Sequence, residues 1–312
     1  TEGSDYEIAK GDTSYSYITC EHFKNLFPED EIYFLIGGDM FATFTKWKYP
    51  QRILNCVTLA VCAREGESSV FSSLEVFNKS FSCGVKIIGY TGSKISSTAV
   101  RVKAALGYDI SAEVPELVAQ YAANNVVYLN KKLAEAQTFL KAKRAAHTLR
   151  VTVMAAKNCL RIGCSEEKAV TAAALHDAAK NLPSDSPLLN GFVPPDDVPD
   201  PVIHQYSGAF LAENHFGVTD PDILNAIRYH TSGRADMSPL EKLIFLCDML
   251  EEDRDFPEVD VLRDAFYNDL DECFNLSVAH QYKYLLSTGK PVYYLTEQAY
   301  KYTLSQGEKN DE

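Results

Sequence analysis

No two of the eight cysteines (Cys20, Cys56, Cys62, Cys83, Cys159, Cys164, Cys247 and Cys273) stand as C-x-x-C, and their spacings suit no zinc finger. Most have apolar neighbours, as in Asn55-Cys56-Val57 and Leu246-Cys247. That predicts reduced, mostly buried thiols without disulfides, in a cytoplasmic protein. Also missing is any apolar run of the ~18 residues that a membrane helix needs, and no signal peptide opens the chain. No membrane partner is expected. Basic excess is absent as well. The net charge of −13 argues against a nucleic-acid backbone as partner, because such binders display basic faces. A small anionic substrate remains open wherever bound cations or a few Arg and Lys reverse the sign locally. An initial Met is lacking too; the chain begins with Thr1, as a fragment or processed product does.

What is present describes an ordinary soluble protein. Hydrophobic residues make up 46% and charged residues 23% of the 312, enough for two compact domains. Residues 1–130 alternate short apolar runs with helical patterns. Ile32-Tyr33-Phe34-Leu35-Ile36, residues 57–62 and residues 85–88 read as buried strands, with helices over 21–27 and 71–81. This alternation predicts an α/β domain with an incomplete Rossmann-type parallel sheet. From 131 to 312 the strand signals stop, and helical periodicity dominates over 131–143, 145–162 and 166–175. Gly163 suits a helix stop and Ser165 an N-cap. Asp220-Pro221 suits a capped helix start, and Ser238-Pro239-Leu240-Glu241 has capping-box spacing. The second domain is therefore expected to be an all-α bundle.

Five of the seven histidines lie between 147 and 230. His147 follows Arg144 by one helical turn. His176-Asp177 closes an apolar helix and precedes Lys180; His204 opens a later helix; His230 ends another and leads into Thr231-Ser232-Gly233. Asp248 stands within Leu243-Ile244-Phe245-Leu246-Cys247-Asp248-Met249-Leu250, where an ionised carboxylate is costly unless a cation or metal pairs with it. Histidine with carboxylate suits iron, manganese or zinc, and helices bring such side chains together in a bundle core. A lone histidine at a helix end is ordinarily structural, and His22, His215 and His280 are read that way.

The ordered set His147, His176-Asp177, His204, His230-Thr231-Ser232-Gly233, Asp248 and Glu251-Glu252-Asp253-Arg254 resembles the YqeK-type HD hydrolases of bacteria, over most of residues 140–275. The resemblance implies an all-α HD fold with two divalent transition metals, iron foremost. It also implies symmetrical hydrolysis of diadenosine tetraphosphate to two ADP. Carried over, His147, His176, Asp177 and Asp248 hold one metal, and His204 and His230 the second, with Asp177 bridging. A water activated by the metals attacks phosphorus. Asp177, Lys180 and Arg254 are the catalytic candidates, and Lys180, Thr231, Gly233 and Arg254 bind substrate. Gln205 and Ser232 depart from the pattern, which tends to have Gly and Thr at these places.

In the first domain, Gly37-Gly38-Asp39, Trp47-Lys48-Tyr49-Pro50 and Ile95-Ser96-Ser97-Thr98-Ala99-Val100-Arg101 resemble nicotinate-nucleotide adenylyltransferases over roughly residues 5–130. Gly38, Asp39, Trp47, Lys48, Ser97, Thr98 and Arg101 are the implied nucleotide-binding remnant. The free N–H groups where Ser96-Ser97-Thr98 opens a helix suit phosphate, and Arg101 adds a planar cation. The family's opening Gly-rich turn and His-x-x-His are not found in residues 1–10, and Ile18 stands where the family has Asp. The chain as given is therefore expected to lack adenylyl transfer, while a longer parent joins both activities.

Three functions compete: the hydrolase, an adenylyltransferase of NAD biosynthesis with an appended HD part, and a nucleotide sensor whose metals are structural. The expected partner is a small dinucleoside polyphosphate, with a homodimer as candidate assembly.

Overall fold

The computed structural model describes residues 3–11, 13–64, 69–90 and 95–310. It divides into two compact units, Thr1–Lys94 and Ile95–Glu312.

Three short apolar runs of the first unit form a parallel sheet: β1 (Tyr33–Gly37), β2 (Thr58–Arg64) and β3 (Val85–Tyr90), in that order across the sheet. The central strand is the most apolar, with Leu59, Ala60 and Val61 buried, because it has a neighbour on each side and helices on a face. Helices α1 (Tyr6–Lys10), α2 (Ser16–Leu26), α3 (Gly38–Thr43), α4 (Pro50–Leu54) and α5 (Ser69–Ser80) complete the unit. Phe41 of α3 and Phe77 of α5 are buried with Ile36, Leu59 and Val61 in one core. Within residues 1–10, where no phosphate-binding turn is read, Thr1 and Glu2 lie outside the described residues. The short helix α1 that follows has no buried residue.

The second unit is helical: α6 (Ser97–Ala105), α7 (Glu116–Asn124), α8 (Lys131–Thr138), α9 (Ala142–Asn158), α10 (Glu166–Leu175), α11 (Asp200–Asn214), α12 (Pro221–Arg228), α13 (Pro239–Leu250), α14 (Val259–Asn268), α15 (Leu270–Ser287) and α16 (Tyr294–Asn310). Helices α6 and α7 precede the architectural change expected near residue 130 yet fall within this unit. Val102 and Leu106 are buried in the same core as Val151 of α9. The helical pattern over 131–143 proves to be two helices. Lys141 turns extended, and its N–H goes to Asn181 Oδ1 at 2.9 Å, so α9 begins afresh at Ala142. Asp220 and Ser238 cap α12 and α13 as their spacing predicts, the latter with a complete capping box. Ser165 occupies the N-cap position of α10, but its side chain makes no capping bond.

Small residues set how closely these helices approach. Ala169, Ala172, Ala173 and Ala174 of α10 are buried where this helix packs against α9 and α12, and helices joined through such short side chains pack near the lower end of the usual interaxial distance. On α11, Gly208 has the same effect. A Cβ there would stand 3.1 Å from the His176 carbonyl oxygen. Histidines on α9 and α11 are thereby brought against the end of α10.

Candidate metal centre

Five helix segments deliver the polar cluster. His147 lies inside α9, and His176-Asp177 directly follows α10. His204 lies in the second turn of α11, and His230 follows α12 by two residues. Asp248 sits in the last turn of α13. His147, His176, Asp177, His204 and His230 are all buried, and the Asp248 side chain is 19% exposed. So many ionisable groups in an apolar bundle demand mutual pairing or a cation.

The ring tautomers are set from behind. His176 Nδ1 lies 2.6 Å from the Ala173 carbonyl, His230 Nδ1 2.7 Å from the Ile227 carbonyl, and His147 Nδ1 2.9 Å from Glu251 Oε1. Each acceptor calls for an N–H on Nδ1 and leaves the Nε2 lone pair pointing into the cluster. There, His147 Nε2, His176 Nε2 and Asp177 Oδ1 are buried without a hydrogen-bond partner. His147 Nε2 is 2.9 Å from Asp248 Oδ1, but the approach lacks hydrogen-bond geometry, so the two atoms aim at a common point. Orphaned donor atoms of this kind are costly unless an ion satisfies them.

Asp177 stands at the centre. Its Oδ2 lies 3.3 Å from His176 Nε2 and 3.9 Å from His147 Nε2, while its Oδ1 lies 3.3 Å from His204 Nε2 and 3.7 Å from His230 Nε2. The ligand atoms of His147, His176 and Asp248 gather within 4.8 Å of one another, as do those of His176, Asp177 and His230. This donor set fits a divalent metal. Burial opposes ionisation of Asp177, but the neighbouring His176 and His230 hold its carboxyl well below the usual range. Burial likewise opposes, and His147, His176 and Arg254 together overcome, the cost at Asp248, which is also shifted down.

Cations ring the cluster. Arg144 Nη1 reaches Asp177 Oδ2 at 2.8 Å, and Arg254 Nη2 reaches Asp248 Oδ1 at 2.7 Å. Lys180 Nζ lies 2.9 Å from His204 Nδ1 and 3.0 Å from its Nε2. Burial lowers the Lys180 ammonium and pushes His204 far below its ordinary value, with His230 and Lys180 adding to the latter. Thr231 Oγ1 is 3.0 Å from His204 Nε2, and Gly233 takes a positive φ of 65° in the same turn. His204 differs from the other three rings: no carbonyl or carboxylate backs it among the described residues.

Two features escaped sequence reasoning. Glu251 is buried behind His147, and Arg150 pairs with it; burial resists, and Arg150 and His147 outweigh it, bringing the carboxyl down to about 2. Its place one turn after Asp248 is the signal that was available. The departures Gln205 and Ser232 bond to each other. Gln205 Nε2 donates to Ser232 Oγ, and Ser232 N–H donates to Gln205 Oε1, both at 3.0 Å. His215 pairs with Glu135 on a more exposed edge, and His22 stacks on Tyr6.

The remnant residues of the amino-terminal half lie apart in sequence and role. Buried Gly38 and exposed Asp39 start α3. Trp47 and Lys48 line a 340 Å³ cavity with Ser14, Tyr15 and Ser16, and Lys48 Nζ sits 4.0 Å over the Tyr15 ring. Ser97 and Thr98 open α6 behind the Ser96 cap, while Arg101 lies 3.5 Å from Glu166, so its charge already has a partner.

The HD domain family model matches residues 144–253. The chain is 31% identical over 255 residues to a probable nicotinate-nucleotide adenylyltransferase/Ap4A hydrolase of Mycoplasma genitalium, covering 80% of this chain and 68% of that protein. It is 34% identical over 169 residues to the symmetrical bis(5'-nucleosyl)-tetraphosphatase of Bacillus subtilis, covering 52% of this chain and 90% of that one. A crystal structure of an HD superfamily hydrolase involved in NAD metabolism, from Clostridium acetobutylicum, aligns with TM-score 0.50 at 32% identity, over 56% of this chain and 96% of its own. No helix among the described residues is long and apolar enough to cross a membrane.

Proposed function

The chain belongs to the HD-domain family of these adenylyltransferase/Ap4A hydrolase and symmetrical tetraphosphatase relatives, and on that premise we propose that its helical unit hydrolyses diadenosine tetraphosphate to two ADP. The observation that carries this reading is that the ligand atoms of His147, His176 and Asp248, and those of His176, Asp177 and His230, each gather within 4.8 Å of one another, with His147 Nε2, His176 Nε2 and Asp177 Oδ1 buried and without a hydrogen-bond partner. His147, His176, Asp177 and Asp248 would hold one divalent ion and His204 and His230 a second, to which Asp177 would also contribute. Iron is the first choice, and manganese or zinc fit the same donors. Bound ions of this kind supply Lewis acidity toward phosphoryl oxygens and lower the pKa of water toward neutrality.

The protein's own groups do the rest. The backing acceptors behind His147, His176 and His230 hold each ring in one tautomer and orientation. Arg254 and Lys180 neutralise phosphate charge as it grows in the transition state, Arg254 through a planar fork suited to two oxygens. Thr231 and Gly233 border the same space. In the balanced reaction one water adds at phosphorus, the central P–O bond breaks, and each half leaves as ADP.

Metal analysis of the purified chain together with product analysis on diadenosine tetraphosphate tests the reading. Two ADP per substrate from metal-replete protein supports it; AMP plus ATP, or protein that takes up no transition metal, ends it. The chemistry asks for a small dinucleoside polyphosphate and no nucleic acid, in keeping with a net charge of −13. Cytoplasmic action and a homodimer complete the proposal, the latter checked by light scattering.

A second reading concerns the first unit, whose relatives include adenylyltransferases and whose cavity holds Trp47 and Lys48. Incubation with nicotinate mononucleotide and ATP, scored for the dinucleotide, decides it; the reading of residues 1–10 expects no product.

A further inference from the structure

Thr231, Ser232 and Gly233 form the turn that follows His230, and its backbone is tied to three different helices. The Thr231 carbonyl accepts from Gln281 Nε2 of α15 at 2.8 Å, and the Ser232 carbonyl accepts from Thr296 Oγ1 of α16 at 2.9 Å. From α11, Gln205 accepts from the Ser232 N–H and donates to the Ser232 hydroxyl. That hydroxyl donates in turn to the Gly233 carbonyl at 2.9 Å. Gln205 is completely buried and Ser232 nearly so. Buried backbone groups need partners of this kind.

The place of Gln205 in the chain gives its two bonds a second consequence. It directly follows His204 on α11, while Ser232 stands two residues after His230. The pair therefore fastens the helix that carries one ring to the turn that follows the other, and the two Nε2 atoms lie 3.1 Å apart. His230 is backed by the Ile227 carbonyl, but His204 has no such support among the described residues. Its ring nitrogens face Lys180, Asp177, His230 and the Thr231 hydroxyl, all inside the cluster. The orientation of this ring thus depends on how firmly α11 and the turn are held together.

We infer that Gln205 is a positioning residue for the His204–His230 half of the metal centre. Its bonds to Ser232 do for His204 what the Ala173, Ile227 and Glu251 oxygens do for the other rings. The inference rests on the two-ion reading given above and concerns only the ion that His204 and His230 would hold. If Gln205 served only to satisfy buried polar groups, it would matter for folding stability alone.

Calorimetric titration of the metal-depleted full chain with manganese(II), alongside thermal unfolding of the metal-free protein, tests this. Gln205→Leu nearly keeps the side-chain volume and removes both bonds. The wild type takes up two equivalents; in Gln205→Leu one of them weakens by roughly 10–100-fold and the other stays within about twofold. Ser232→Ala removes one bond of the pair and weakens the same equivalent by about fivefold, so the test survives a Gln205→Leu chain that does not fold. Two equivalents bound as tightly as in wild type by every variant that folds overturn the positioning role and leave the two-ion reading standing, even where the melting temperature falls. Equal weakening of both equivalents also overturns it, because a general loosening of the bundle gives that result. Fewer than two equivalents in the wild type removes the two-ion reading and this inference with it.

Discussion

Glu251 Oε1 lies 2.9 Å from His147 Nδ1, across 104 positions of sequence, and so orients a ring whose other nitrogen faces the metal centre. A carboxylate in this place fixes the tautomer and raises the basicity of the ligating nitrogen. Glu251→Gln keeps the shape and removes the charge. The expected result is a fall in metal affinity of roughly 10–100-fold, with an unchanged circular dichroism spectrum. Chelator competition measures it, and affinity equal to wild type would show that Glu251 has only a packing role.

The same carboxylate gives the metal-free protein an acid limb. Burial works against ionisation of Glu251, yet Arg150 and His147 bring its pKa from 4.5 down to about 2. A folded value below the unfolded one means that the stabilisation is complete above the unfolded pKa. It is lost as pH falls from 4.5 to about 2. Urea midpoints of the metal-free chain across this window should drop less steeply in Glu251→Gln than in wild type.

Gly208→Ala tests the approach of α11 to His176. Alanine gains about 1 kcal/mol of helix propensity over glycine. The new Cβ, however, meets the His176 carbonyl oxygen at 3.1 Å, a backbone atom with little room to move. Overpacking of this sort costs about 1–3 kcal/mol, so a net loss of stability is expected together with weaker metal binding. A higher melting temperature with full metal content would show that the helix shifts freely.

His176→Ala removes a fully buried proposed ligand whose Nε2 has no hydrogen-bond partner. Metal content and hydrolysis of diadenosine tetraphosphate should fall together, hydrolysis to background. Retained metal with lost activity would place His176 outside the coordination sphere.

Lys180 and Arg254 separate in the same assay. Arg254 is exposed enough to meet substrate and is paired with Asp248, whereas Lys180 is tucked against His204. Arg254→Ala is expected to lower kcat by about tenfold, the loss of one charge-assisted contact to the developing charge. A change confined to KM would assign Arg254 to substrate binding alone.

The amino-acid order by itself determined the change from alternating strands to helices, the caps at Asp220 and Ser238, and the members of the histidine–aspartate cluster. Each of these is local or chemical: a two-residue period, a side chain three positions before a free N–H, or a charge set among leucines. Tertiary structure alone decided which atoms meet. Period and propensity say nothing about the 3.1 Å clearance at Gly208 or the pairing of Gln205 with Ser232. Nor do they reveal that His280, an ordinary helix histidine in sequence, faces Phe256 at the edge of a cavity. These relationships join residues tens of positions apart, and their geometry comes from how closely alanine- and glycine-lined helices pack.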